Sequence, residues 1–182
     1  MPDSPFPASP DPALERYSRQ MLFAEIGEAG QRRLLTSRVT LIGCGALGST
    51  LADRLVRAGV GSLRIVDRDF VELNNLQRQT LFDEMDVSDN LPKVEAARRK
   101  LVRINSAVEV EAIIADANHH TIERFCEGAD LLLDGTDNFE TRFLINDVAV
   151  KHKQPWVYGA CVGATGLALP ILPGETPCLQ CV

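Results

Sequence analysis

The chain has 182 residues, 45% of them apolar and 24% charged, with a formal net charge of −6. That profile fits one globular domain able to bury a core without disulfide staples. It argues against a nucleic-acid partner, because no segment is a basic run, and against a membrane span, because the longest apolar stretches are only strand-length.

Residues 1–12 are rich in proline and lack the basic and apolar regions of a signal peptide. We expect a disordered lead-in there, a single domain over 13–182, and a cytoplasmic protein. Residues 14–31 read as helical in part, with Gly27 and Gly30 as interruptions. Residues 39–42 form the first expected strand, and their continuous apolar run implies burial on both faces. From 47 to 57, Leu47, Leu51, Leu55 and Val56 make one helical stripe. Gly59 and Gly61 end that helix and turn the chain back. A second strand, 63–66, runs into Asp67. Residues 69–89 are polar and irregular, and a loop of that length inside a domain is usually functional. Pro92 stands where helices start, and 93–104 carries a helical pattern. Then come a strand at 108–114, a helix at 118–127 stopped by Gly128, and a strand at 129–133. The last runs into Asp134-Gly135-Thr136-Asp137-Asn138, before a helix at 139–151 and strands at 156–160 and 166–172.

Strands alternating with helices predict an α/β fold. The expected form is a doubly wound, Rossmann-like, mainly parallel sheet with helices on both faces. Ligands of such sheets sit beyond the carboxyl ends of the strands, where Gly43, Asp67 and Asp137 all fall.

Gly43, Gly45 and Gly48 let the backbone turn sharply and approach a phosphate or sugar, with a helix amino terminus behind them. Asp67 stands nineteen residues past Gly48, placed to accept from ribose hydroxyls. Asp69, Asn74, Asn75, Arg78 and Gln79 crowd the next loop. Asn75 can bind phosphate or ribose oxygen, and Arg78 can pair with phosphate through its planar fork. Lys93 opens a helix, against the preference of the helix dipole, which hints at a bound anion. Asp137 can hold Mg²⁺ beside nucleotide phosphates or cap the following helix. Asn138 can take the capping role and leave Asp137 free. Cys44, Cys126 and Cys161 read as small buried hydrophobes. Cys178 and Cys181 form one CxxC pair, half of the four ligands that structural Zn²⁺ wants.

Several of these stretches occur together and in order: RYSRQ at 16–20, GCGALGS at 43–49, AGVG at 58–61, VDRDFVELNNLQRQ at 66–79, PKVEAA at 92–97, DGTDNFETR at 134–142 and PCLQC at 177–181. Together they resemble the ThiF/MoeB/HesA-type adenylyltransferases, relatives of the ubiquitin-activating enzymes. The resemblance implies that ATP meets the C-terminal glycine carboxylate of a ubiquitin-like sulfur carrier protein, in molybdopterin, thiamine or related sulfur transfer. The carboxylate would attack the α-phosphate to give an acyl-adenylate and pyrophosphate. It implies that Gly43, Asp67, Asn75, Arg78 and Lys93 contact ATP and that Asp137 binds Mg²⁺. Gly45, Gly48, Asp69 and Asn138 belong to the same candidate nucleotide site. It also implies a homodimer in which Arg19 reaches into the site of the other subunit. The family's second cysteine pair, a possible acceptor thiol and a closing segment lie further along than Val182, so zinc belongs to a longer chain. Two departures stand out. Asn90-Leu91 precedes Pro92 where the family often has glycine, and Pro170 falls in a strand, which suggests an edge or a bulge. Two other readings use the same residues: an NAD(P)-dependent oxidoreductase, and a homologue that binds nucleotide or carrier without activating it.

Overall fold

The computed structural model describes residues 11–182. Three short pieces begin the chain: α1 (Pro12–Glu15), a 3₁₀ turn at Gln20–Leu22, and α2 (Gly27–Thr36). A βαβ unit follows as β1 (Arg38–Ile42), α3 (Ala46–Ala58) and β2 (Ser62–Val66). The long loop after β2 holds a 3₁₀ turn at Leu73–Asn75 and α4 (Glu84–Ser88). Next come α5 (Lys93–Ile104), β3 (Glu109–Ile113), α6 (Ile122–Cys126) and β4 (Leu131–Asp134). The chain continues through α7 (Phe139–His152), β5 (Trp156–Val162), β6 (Thr165–Ile171) and a 3₁₀ turn at Leu179–Cys181.

The six strands form one sheet in the order β3-β2-β1-β4-β5-β6. All neighbouring pairs are parallel except β5 and β6, an antiparallel hairpin at the edge. Successive side chains of a strand point to opposite faces, so the central strands feed two cores. Val39, Leu41, Leu63, Ile65 and Leu133 pack with α3 and α5 on one face. Ile42, Val66 and Leu132 pack with α6, α7 and Trp156 on the other. The expected doubly wound α/β class is therefore the observed one. Strand order reverses between β1 and β4, which opens a crevice beyond their carboxyl ends.

Local chemistry explains where elements differ from the sequence reading. Gly27 does not interrupt a helix. It takes a left-handed φ of +53° and opens α2, inside which Gly30 is buried. Pro12 begins α1, within the stretch expected to be a disordered tail; residues 1–10 of that tail lie outside the described residues. The 69–89 loop is less irregular than expected, because Asp83 caps α4 by accepting from Met85 and Asp86 N–H groups. The helix expected over 118–127 shrinks to α6. Asn118 holds a turn ahead of it, its Oδ1 accepting from His120 N and its N–H donating to Thr121 Oγ1. Asn90 adopts a φ of +48°, the left-handed conformation that glycine takes freely and asparagine tolerates. That accounts for an asparagine at a glycine-like position. Pro170 sits on β6, an edge strand, where a missing N–H is tolerated.

Candidate active site

Strands β1, β2 and β4 end side by side, and the loops leaving them border a cleft of about 1360 Å³. Two of those loops touch backbone to backbone. A Cβ on Gly43, whose φ is +93°, would lie 2.6 Å from Gly135 O, and one on Gly48 would lie 2.1 Å from Gly43 O. Gly43 is thus required where the loops after β1 and β4 touch, and Gly48, in the first turn of α3, is required where that turn packs on the Gly43 backbone. Gly48 is buried behind the cleft wall and is not among the residues that line it. Gly45 does line the cleft, and a Cβ there would meet nothing closer than Gln79 Nε2 at 3.9 Å. Gly45 also precedes α3 without offering a side-chain cap, so the first N–H groups of that helix face the cleft unclaimed by a cap.

Asp67 ends β2 beside this loop. Its Oδ2 accepts from Cys44 N at 2.6 Å and its Oδ1 from Asp69 N at 2.8 Å. Burial pushes its carboxyl above the usual range, while these two N–H donors and Lys93 pull it back. Each oxygen keeps a second lone pair for a ligand hydroxyl. The Cys44 thiol is pushed far up by burial and serves as packing, as expected.

The loop after β2 folds back onto the start of α5. Val71 N donates to Leu91 O at 2.9 Å and Lys93 N to Asp69 O at 2.8 Å. The same approach brings Lys93 Nζ to Asp69 Oδ2 at 2.9 Å. Lys93 is buried, yet its charge at the amino end of α5 has an internal counterion. The expected sign of a bound anion is therefore met by Asp69, whose own side chain stays 55% exposed toward the cleft. Asn75 is buried and closes the 3₁₀ turn, its Oδ1 accepting from Glu72 N at 3.1 Å and its Nδ2 donating to Asn74 Oδ1 at 2.7 Å. Arg78 is exposed along the cleft and tethered by Nη1 to Asn74 O at 2.9 Å.

On the β4 side, Asn138 caps α7 by accepting from Thr141 N at 2.9 Å, which leaves Asp137 exposed on the cleft without a capping duty. Asp134 beneath them was read from sequence only as a strand end. It is buried and organises the loop, accepting from Thr136 N at 2.8 Å and Arg142 Nε at 3.0 Å. Arg142 also donates through Nη2 to Thr136 O at 2.8 Å, and its guanidinium lies 5.2 Å from the ring centres of Phe139 and Tyr158. An acid and an arginine eight residues apart across a helix start was the available signal for this pair. Gln79, one of a polar run in sequence, is buried on the cleft, and its Oε1 has no hydrogen-bond partner.

Not every candidate converges. Arg19 lies on the exposed turn before Gln20–Leu22, outside the cleft lining. Cys178 and Cys181 sit near the described end with their Sγ atoms 3.5 Å apart. Among the described residues no group of three or more His, Cys, Asp or Glu side chains could hold a metal, so this pair alone does not fit structural zinc. Mg²⁺ asks less of a protein, one or two carboxylates beside ligand phosphates, and Asp137 fits that. Cys126 is buried as expected, whereas Cys161 is exposed on the cleft near the end of β5, where the last two strand residues are both exposed. Among the described residues, no helix is long and apolar enough to cross a membrane.

Comparison with known proteins adds to this geometry. Residues 17–182 match the ThiF family. The chain is 52% identical over 167 residues to the sulfur carrier protein ThiS adenylyltransferase of Bacillus subtilis, covering 92% of this chain and 50% of that protein. It is 40% identical to the SAMP-activating enzyme E1 of Haloferax volcanii, covering 93% and 62%. A crystal structure of Escherichia coli MccB with ATP superposes with a TM-score of 0.85 at 30% identity, covering 95% of this chain and 52% of that one. The chain thus spans about half the length of several of these proteins.

Proposed function

This chain belongs to the ThiF family, and on that premise we propose that it is an ATP-dependent adenylyltransferase. Its second substrate would be the C-terminal glycine carboxylate of a ubiquitin-like sulfur carrier protein. One carboxylate oxygen attacks the α-phosphorus of ATP, the bond from that phosphorus to the bridging oxygen breaks, and pyrophosphate leaves. The single observation that carries this reading is the convergence of Asp67, Arg78, Lys93 and Asp137 from separate segments on one cleft beside an uncapped helix amino terminus.

The residues divide the work by charge. Two anions must approach, and negative charge spreads over the phosphates as the reaction proceeds, so fixed cations and N–H dipoles matter more than a general base. Asp67 orients the ribose. The open space at Gly45 admits the phosphate chain to the N–H groups of α3, and Asn75 holds the turn that presents Arg78. Lys93 is buried but balanced by Asp69, so it is positioned before substrate arrives and can turn toward a phosphate. Asp137 would hold Mg²⁺, which supplies neutralisation of the departing phosphates. We further propose a cytoplasmic homodimer in which Arg19 completes the cleft of a second copy. The names of the relatives support this reading of substrate class.

The test is exchange of labelled pyrophosphate into ATP with Mg²⁺ and candidate carrier proteins. Carrier-dependent exchange is expected, and Asp137→Ala should reduce it at least about a hundredfold with an unchanged melting temperature. ATP binding without exchange would point to a non-catalytic homologue, and binding of NAD(P) but not ATP would sink the reading.

A further inference from the structure

Buried amide side chains in this protein are provided for. Gln31 accepts at Oε1 from Gln20 at 2.6 Å and donates from Nε2 to Ala58 O at 2.9 Å. Asn105 donates to Tyr17 Oη at 2.8 Å and to Val56 O at 2.9 Å. Gln79 is the exception. It is 3% exposed, and its Oε1 is one of two buried side-chain polar atoms without a partner among the described residues, the other being Trp156 Nε1. A buried polar atom left unpaired is destabilising, so natural folds keep few and commonly at working sites.

The position of the group points to what it serves. Gln79 N donates to Asn75 O at 2.9 Å, so the backbone of the turn places the residue independently of its side chain. The side chain lies on the cleft, and its Nε2 is the atom nearest to where a side chain on Gly45 would begin. Gly45 precedes the uncapped amino end of α3, a helix of thirteen residues. A half-turn about the last side-chain bond exchanges the two ends of the amide, so the group offers both a donor and an acceptor there.

We propose that Gln79 is a nucleotide-contacting residue. Its amide Nε2 donates to an oxygen of the phosphate chain held over Gly45, a bond that compensates for the orphaned acceptor at the other end of the same amide. The inference rests on the adenylyltransferase reading of the cleft and adds to it a neutral donor beside Lys93 and Arg78. A neutral group suits this place: it favours phosphate without adding a buried charge to the empty protein.

Gln79→Leu and Gln79→Glu test the assignment, with thermal unfolding measured without nucleotide and Mg-ATP affinity measured by titration calorimetry. Gln79→Leu should melt at or above the wild-type temperature, because it removes the orphaned atom, while its Mg-ATP affinity falls about tenfold to a hundredfold. Gln79→Glu keeps the shape, sets a carboxylate against phosphate, and should weaken Mg-ATP at least as much; it decides the matter if Gln79→Leu does not fold. Unchanged affinity in the folded variants overturns the proposal, as does a fall in melting temperature with affinity intact, which would mark Gln79 as packing only. If the wild-type protein itself does not bind Mg-ATP, the adenylyltransferase reading falls and this inference with it. If the wild type binds and both variants bind equally, the inference alone falls.

Discussion

Strands β1 and β6 are both mostly apolar in sequence, yet they live in different surroundings. In β1 every residue after Arg38 is buried, whereas in β6 only Ile171 is. The first lies at the middle of the sheet between two helical layers. The second closes an edge hairpin and leaves Leu167 half exposed. The half of the molecule around β1 pairs its buried charges and sets glycines where backbones meet. The hairpin half shows apolar surface and free ladder groups. The difference teaches that strand character follows from residue type but burial follows from neighbours. It also predicts that equal chemical insults should have very unequal effects in the two halves.

The largest effect is expected where the β1 half holds a buried ion pair. Arg142→Met leaves the Asp134 carboxylate buried without its cation, and should destabilise by about 3–5 kcal/mol in urea unfolding. A loss below about 1 kcal/mol would mean that Thr136 alone satisfies Asp134. Next is Gly48→Ala, whose new methyl meets the Gly43 carbonyl at 2.1 Å in a contact that neither backbone can easily leave. Overpacking of this kind costs about 1–3 kcal/mol, and it should weaken Mg-ATP as the loop shifts. Calorimetric affinity alongside the melting temperature checks both halves of that expectation.

A smaller effect sharpens the contrast at the surface of α5. Arg98, then Arg99, hold the Glu95 carboxyl down to about 2, against an ordinary 4.5. A folded-state value below the unfolded one means that the contribution is fully present above about pH 4.5 and is lost as pH falls through about 2. Glu95→Gln should therefore flatten the acid limb of stability, by less than about 1 kcal/mol for so exposed a pair. The smallest effect belongs to β6. Leu167→Lys should alter stability by no more than about 0.5 kcal/mol, and a drop in melting temperature like that of Arg142→Met would show that the edge is covered in solution.

Much of the fold was legible because periodicity is local. The apolar run at 39–42, the stripe from Leu47 to Val56 and the left-handed turn at Gly59 each carry their own signal. α5 matched its expected bounds, because Pro92 ends the preceding extended segment and the pattern persists to Ile104. Local side-chain bonding overrode the pattern at Asn118, which competes for backbone N–H groups and shortens α6. In the site, residue types were legible but their duties were not. Lys93 stands out in sequence by its odd place against a helix dipole; that Asp69, twenty-four residues earlier, balances it depends on the loop folding back. The glycine spacing marks Gly48, but only the fold shows that a side chain there would strike the Gly43 carbonyl.

The sequence by itself determined the alternation of strands and helices, the parallel class, and the sheet edge at which the cleft opens, because these follow from side-chain period and connection length. The tertiary structure alone decided which groups are paired, buried or left open: Lys93 with Asp69, Arg142 beside Gly159 and Tyr158, Cys161 in the open, and the Gln79 side-chain oxygen without a partner. Such outcomes depend on distances between segments far apart in the chain, and no local pattern encodes them, since each group finds its partner or lacks one only when the sheet has brought its carboxyl ends together.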